Sequence, residues 1–136
     1  MFFSFMTTKH IEIGKMGEDL AVRFLMKQGY KILERNYWKK WGELDIVAQK
    51  LRKIHFIEVK SVSWGRKELI VSRETHKIRP EEHVTREKIL RLNRAMQSYL
   101  LERKVSQETS FQLDVITVRI NLKDKIAKIN CIENVL

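Results

Sequence analysis

The sequence predicts an α/β domain, one central mixed sheet flanked by helices, in the order helix, three strands, helix, two strands. Three observations predict it. Residues 14–28 and 85–103 repeat apolar side chains at helical spacing. Residues 44–48, 54–60 and 111–118 are short apolar runs of strand length. The whole chain has 136 residues, which suits a single core.

In the first helix, Leu20, Ala21, Phe24 and Leu25 form the inner stripe. Lys15, Asp19, Arg23 and Lys27 share the charged face, where Asp19 is expected to pair with Lys15 and Arg23. Gly29 is a natural stop. Residues 30–37 read as a first strand and 38–42 as a basic, aromatic turn. The runs 44–48 and 54–60 would then pair as a hairpin across 49–53. Residues 61–84 lack any period and read as a long, mobile, basic loop of the kind that is usually functional or disordered. Thr85 is a good N-cap for the second helix, whose inner stripe is Ile89, Leu92, Met96 and Tyr99. Residues 125–132 are a more polar last strand, joined to 111–118 by a turn at 121–124. The expected organisation is a mobile tail over 1–13 and one domain over 14–136.

The 27 Lys and Arg outnumber the 17 Asp and Glu, a surplus that suits a polyanionic partner, nucleic acid before an acidic membrane. A merely basic soluble protein is the alternative. Cys131 is the sole cysteine, so an intramolecular disulfide and a thiolate zinc cluster are excluded, and a reducing cytoplasmic setting is expected. The apolar start, residues 1–6, is far too short to span a bilayer and has no basic flank of a secretory signal.

Side chains alternate along a strand, so Ile54, Phe56, Glu58 and Lys60 share one face. A carboxylate and an ammonium thus close an otherwise apolar row, and charges entering a core need partners or a metal. An edge ion pair is the plainer reading of an isolated Glu-x-Lys. Asp45 lies at the mouth of the preceding strand, and hairpin pairing would bring it to the same sheet end. Two carboxylates there would repel each other unless a divalent cation such as Mg²⁺ lay between them. Asp45 as a turn-terminating acceptor of backbone N–H groups is the alternative. Glu43, two residues closer to the turn, is an outer residue. Glu18, at the edge of the apolar stripe, is the inward carboxylate of the first helix, or else a first-turn residue favoured by the helix dipole.

These residues sit in five ordered motifs. The first three are 14–21 (GKMGEDLA), 29–37 (GYKILERNY) and 42–47 (GELDIV). The others are 56–60 (FIEVK) and a last group comprising Pro80-Glu81-Glu82, Val84-Thr85, Lys88 and Asp114-Val115-Ile116. Together they resemble the YraN family of bacterial conserved proteins over most of the chain from Gly14 to about Val118. The resemblance implies a restriction-endonuclease-like fold of the PD-(D/E)XK superfamily, related to archaeal Holliday-junction resolvases. It implies that Asp45, Glu58 and Lys60 form a metal and catalytic centre supported by Glu18, which would bind the metal through water or anchor a second ion. Asp45 and Glu58 would hold Mg²⁺ or Mn²⁺ together with the Val59 carbonyl, for endonuclease-like hydrolysis of DNA. Two departures bear on substrate choice. Ser61-Val62 follows the Glu-x-Lys where a basic residue is expected, and the stretch to Pro80 is longer than the compact family form. A non-catalytic nucleic-acid-binding module on the same fold is the alternative function, and a scaffold for a protein partner a third.

The expected phosphate-gripping surface has three parts. Lys88, Arg91 and Arg94 form a ridge on the second helix, which could equally be a solvated face. Lys39 and Lys40 lie among Trp38 and Trp41, and the loop adds Arg66, Lys67, Arg73 and Lys77. A homodimer would suit the cutting of paired strands, although the sequence locates no interface. His10, His55, His76 and His83 lack metal-ligand spacing, and Asp114 reads as a fold-supporting acceptor within an apolar strand. Trp64 would either stack on a base or dock on its own domain. The sequence holds no Gly-rich phosphate loop and no arguable Ser/His/Asp set.

Overall fold

The computed structural model describes residues 9–64 and 85–136, with side chains from Ile13 onward in the first segment. Helix α1 spans Lys9–Lys27, followed by β1 (Lys31–Lys39), β2 (Gly42–Lys50) and β3 (Lys53–Ser63). Helix α2 spans Arg86–Glu102 and leads into β4 (Phe111–Asn121) and β5 (Ile126–Ile132). The element order is the expected one, and the strands form a single five-stranded sheet in sequence order. Only β3 and β4, bridged by α2, are parallel; every other neighbouring pair is antiparallel.

Strands β1 to β4 run two or three residues past their expected ends by continued backbone pairing, whereas α2 and β5 fall within the spans expected of them. Helix α1 begins at Lys9, five residues before the expected start and inside the stretch expected to be tail. Strand β3 runs on to Ser63, so 61–63 belong to the sheet rather than to a loop, paired with Val118, Arg119 and Ile120. The rest of that expected loop lies outside the described residues. The β2–β3 turn is tighter than 49–53: Lys50 pairs with Lys53, leaving Leu51 and Arg52 as a two-residue turn. Both have positive φ, 50° and 66°, as such a turn demands.

The sheet carries a core on each face. On the α2 side Leu92, Ala95, Met96 and Tyr99 pack on Tyr37, Leu44, Val47, Ile54, Phe56 and Leu113. On the α1 side Leu20, Ala21 and Leu25 pack on Ile46, Ala48, Ile57, Ile116, Val118 and Ile120. In α2 the expected Ile89 is only half-buried, and Ala95, too small to register in the apolar pattern, is fully buried. Two glycines let the layers approach. A Cβ on Gly17 would stand 1.7 Å from Ser61 Oγ, so α1 can lie on β3 only without one. A Cβ on Gly42 would stand 2.7 Å from the Arg91 carbonyl oxygen, which brings α2 down over the start of β2. That second contact positions the site.

Candidate active site

Strand alternation places Ile54, Phe56, Glu58 and Lys60 on the α2 face of β3, as expected, with Ile54 and Phe56 in its core. The β2–β3 ladder extends to the Ile46–Ile57 pair, and Asp45 and Glu58 are the next residues along. Regular alternation breaks here. Leu44 and Ile46 are two apart, yet Leu44 joins the α2-side core and Ile46 the α1-side core. The break lies at Leu44; Asp45 follows the register of Ile46 and Val47 onto the face of Glu58, and its Oδ2 accepts the Val59 N–H at 2.8 Å. The backbone donor at the ladder's end is thereby satisfied, and Asp45 is held in place.

Glu58 is buried, 8% exposed. Its Oε1 takes the Lys88 ammonium at 2.7 Å, and the Lys60 ammonium lies 3.7 Å from the same oxygen. Lys88 reaches it because Thr85 caps α2, with Oγ1 accepting the Lys88 N–H at 3.2 Å, so the first turn of α2 hangs over the end of β3. A cleft of about 340 Å³ opens between the layers, lined by Gly42, Glu43, Asp45, Glu58, Lys88, Arg91 and Leu92.

The electrostatics follow from crowding. Burial and then repulsion by Glu58 push the Asp45 carboxyl from 3.8 to about 7, against the pull of the Val59 N–H; Glu18 adds a smaller push. Asp45 therefore holds its proton to far higher pH than a free aspartate does. Burial, then the neighbouring Lys88, lowers the Lys60 ammonium. Burial also acts to lower Lys88, but its bond to Glu58 prevails and holds Lys88 above the ordinary lysine value.

Glu18 comes near without joining the cleft lining. Its Oε1 accepts from Arg35 Nε at 3.2 Å, Arg35 Nη2 at 3.0 Å and Asn36 Nδ2 at 3.1 Å. Asp19 pairs with the same Arg35 at 2.7 Å, rather than with the expected Lys15 and Arg23 of its own helix. Both acids are drawn to β1, where the register shifts between Ile32 and Glu34 and Asn36 adopts φ 53°.

The expected basic ridge divides among three tasks. Lys88 points into the cleft at Glu58, and Arg91 lines its wall. Arg94 lies over the Trp41 ring at 5.5 Å. Lys39 is engaged by Glu102, which also accepts the Tyr37 hydroxyl at 2.8 Å, while Lys40 is exposed. Arg66, Lys67, Arg73 and Lys77 lie outside the described residues. Trp64 lies on its own domain, its backbone N–H donating to the Ile120 carbonyl at 2.9 Å and the Lys128 ammonium 5.7 Å from its ring centre.

A second polar group was not legible from spacing. His55 Nδ1 meets Asp114 Oδ2 at 2.7 Å in the α1-side layer, and ligand atoms of His55, Asp114 and Glu133 lie within 4.8 Å of one another. Asp114 Oδ1 accepts from Gln112 Nε2 and from the Asn134 N–H, both at 2.8 Å. Each Asp114 oxygen thus has a partner, and the group ties the end of the chain to β3 and β4. This is the supporting role expected of Asp114.

A profile described as Uncharacterised protein family UPF0102 matches residues 17–118. A UPF0102 protein of Caldicellulosiruptor saccharolyticus is 37% identical over 126 residues, covering 90% of this chain and 95% of that protein. One of Syntrophomonas wolfei is 41% identical over 124 residues, covering 90% and 96%. One of Campylobacter fetus is 32% identical over 130 residues, covering 96% and 98%. The match spans the second half of α1, strand β1, the β2–β3 hairpin with Asp45, Glu58 and Lys60, helix α2 and most of β4; the chain belongs to the UPF0102 family, the YraN family that its motifs resemble.

Proposed function

We propose that this protein hydrolyses phosphodiester bonds in nucleic acid, DNA before RNA, using a divalent cation held by Asp45 and Glu58. One observation carries the reading. A carboxylate pair fixed at one sheet end, with Asp45 pushed up to about 7 by burial and then by its neighbour Glu58, has a lysine two residues along the same strand face. Two crowded carboxylates are costly unless a proton or a cation lies between them. Their hard oxygen donors, in a cleft with room for retained water, fit Mg²⁺ or Mn²⁺. Lys88 already places a positive charge 2.7 Å from Glu58, which marks where a cation is favoured.

When bound, such a cation supplies charge stabilisation at phosphate and lowers the pKa of water. The chain's own residues do the rest. Asp45, braced by the Val59 N–H, keeps one acceptor aimed at the cleft. Glu58 shares the negative charge. Lys60, with its ammonium lowered, is suited to orient water and to steady charge that develops on the phosphate. Glu18, held by Arg35 and Asn36, acts through its field rather than by contact. A restriction-endonuclease-like assignment accords with this layout.

The Lys88–Glu58 ion pair is the observation that favours the second reading, a nucleic-acid-binding module without turnover, because an ammonium there can replace a metal outright. Cleavage of branched DNA in Mn²⁺ by the wild type, Asp45→Ala and Lys60→Ala separates the two. Hydrolysis expects a loss of about a hundredfold or more in both variants. Equal activity in all three proteins refutes it.

A further inference from the structure

A second cleft, about 420 Å³, lies beside the acidic one and shares Gly42, Glu43 and Arg91 with it. Trp38 at the end of β1 and Trp41 in the β1–β2 turn flank it, with Lys40, Arg91 and Arg94 around them. Trp41 is pinned: its Nε1–H donates to Ser98 Oγ at 3.0 Å, and the Arg94 guanidinium covers its ring. Trp38 is 67% exposed, a large flat apolar surface left in water. Single exposed apolar residues are ordinary, but this one stands among three cations at the edge of a cleft continuous with a carboxylate pair. Glu43 is the acidic member of the lining, and Lys39 is engaged by Glu102.

Aromatic faces next to cations suit an unpaired nucleotide strand. Its phosphates match the cations, and its bases have open π-faces to stack, whereas a duplex keeps those faces inside its own stack. We infer that Trp38 is a stacking platform for unpaired nucleotides, so that the substrate presents a single-stranded segment running past Arg91 toward Asp45 and Glu58. This deepens the hydrolytic reading and rests on it for the direction of the strand, but the platform itself is a binding feature.

The test therefore measures binding in a chelator, where no turnover is needed. The probes are a fluorescent short oligothymidylate and a blunt duplex. Trp38→Ala is expected to weaken oligothymidylate about tenfold and the duplex less than about twofold, with Trp38→Phe recovering most of the loss. Unchanged oligothymidylate affinity, or an equal loss on both probes, overturns the platform. If the Trp38 effect is seen but the wild type cuts nothing in Mn²⁺, the hydrolytic reading falls and the platform stands.

Discussion

Replacing Asp45 with Asn reports directly on the crowding at the sheet end. The Asp45 carboxyl titrates at about 7 in the folded chain and near 3.8 when unfolded, so the folded state binds its proton more tightly. Below pH 3.8 both states are protonated, and Asp45 costs nothing. Between 3.8 and about 7 the unfolded chain ionises first, and stability falls as pH rises. Above about 7 the whole loss is present, about 4 kcal/mol at most. Asn is neutral at every pH, can still accept the Val59 N–H and offers Glu58 a donor. Urea unfolding of both proteins is expected to show the advantage of Asp45→Asn growing by about 2–3 kcal/mol from about pH 5 to about pH 8. At the higher pH, Mg²⁺ at about a hundred times its Kd should stabilise the wild type by about 2.7 kcal/mol and the variant far less. Parallel stability profiles for the two proteins, with no Mg²⁺ effect on either, would refute the reasoning.

Three further perturbations test other parts of the structure. Gly42→Ala forces a Cβ against the Arg91 carbonyl oxygen, a backbone atom that cannot swing aside; a loss of about 1–3 kcal/mol in chemical denaturation is expected. The double change Leu51→Asn and Arg52→Gly relieves two left-handed residues at the exposed hairpin turn and should stabilise by about 1–2 kcal/mol, read as a raised Tm. Lys88→Met removes the ammonium on Glu58, so Mn²⁺ should bind about tenfold tighter in calorimetry while duplex DNA binds more weakly.

Much of the site was legible because strand alternation is a short-range rule. Glu58 and Lys60 had to share a face, and the hairpin had to carry Asp45 to them. The arrival of Lys88 was not legible, because it depends on how far α2 descends over β2, and that depends on the absent Cβ of Gly42 against a residue 49 positions away. As a sequence pattern, Lys88 belongs to an outer basic ridge; the folded chain turns it inward to Glu58. Glu18 shows the converse. Its helical position is inward, but the bulged β1 brings Arg35 and Asn36 to its carboxylate and keeps it out of the cleft lining. The far ends of β1 to β4 lie beyond their apolar runs for a related reason: hydrophobic periodicity reports burial, and strands continue by backbone pairing. No helix among the described residues is long and apolar enough to cross a membrane, in keeping with the absence of a spanning pattern.

The most direct measurement is an anomalous-difference map from crystals grown with Mn²⁺ above pH 7.5. The expected result is a peak between the Asp45 and Glu58 carboxylates, with the Lys88 ammonium withdrawn from Glu58. A map without that peak, with Lys88 still seated on Glu58, would contradict the proposed centre.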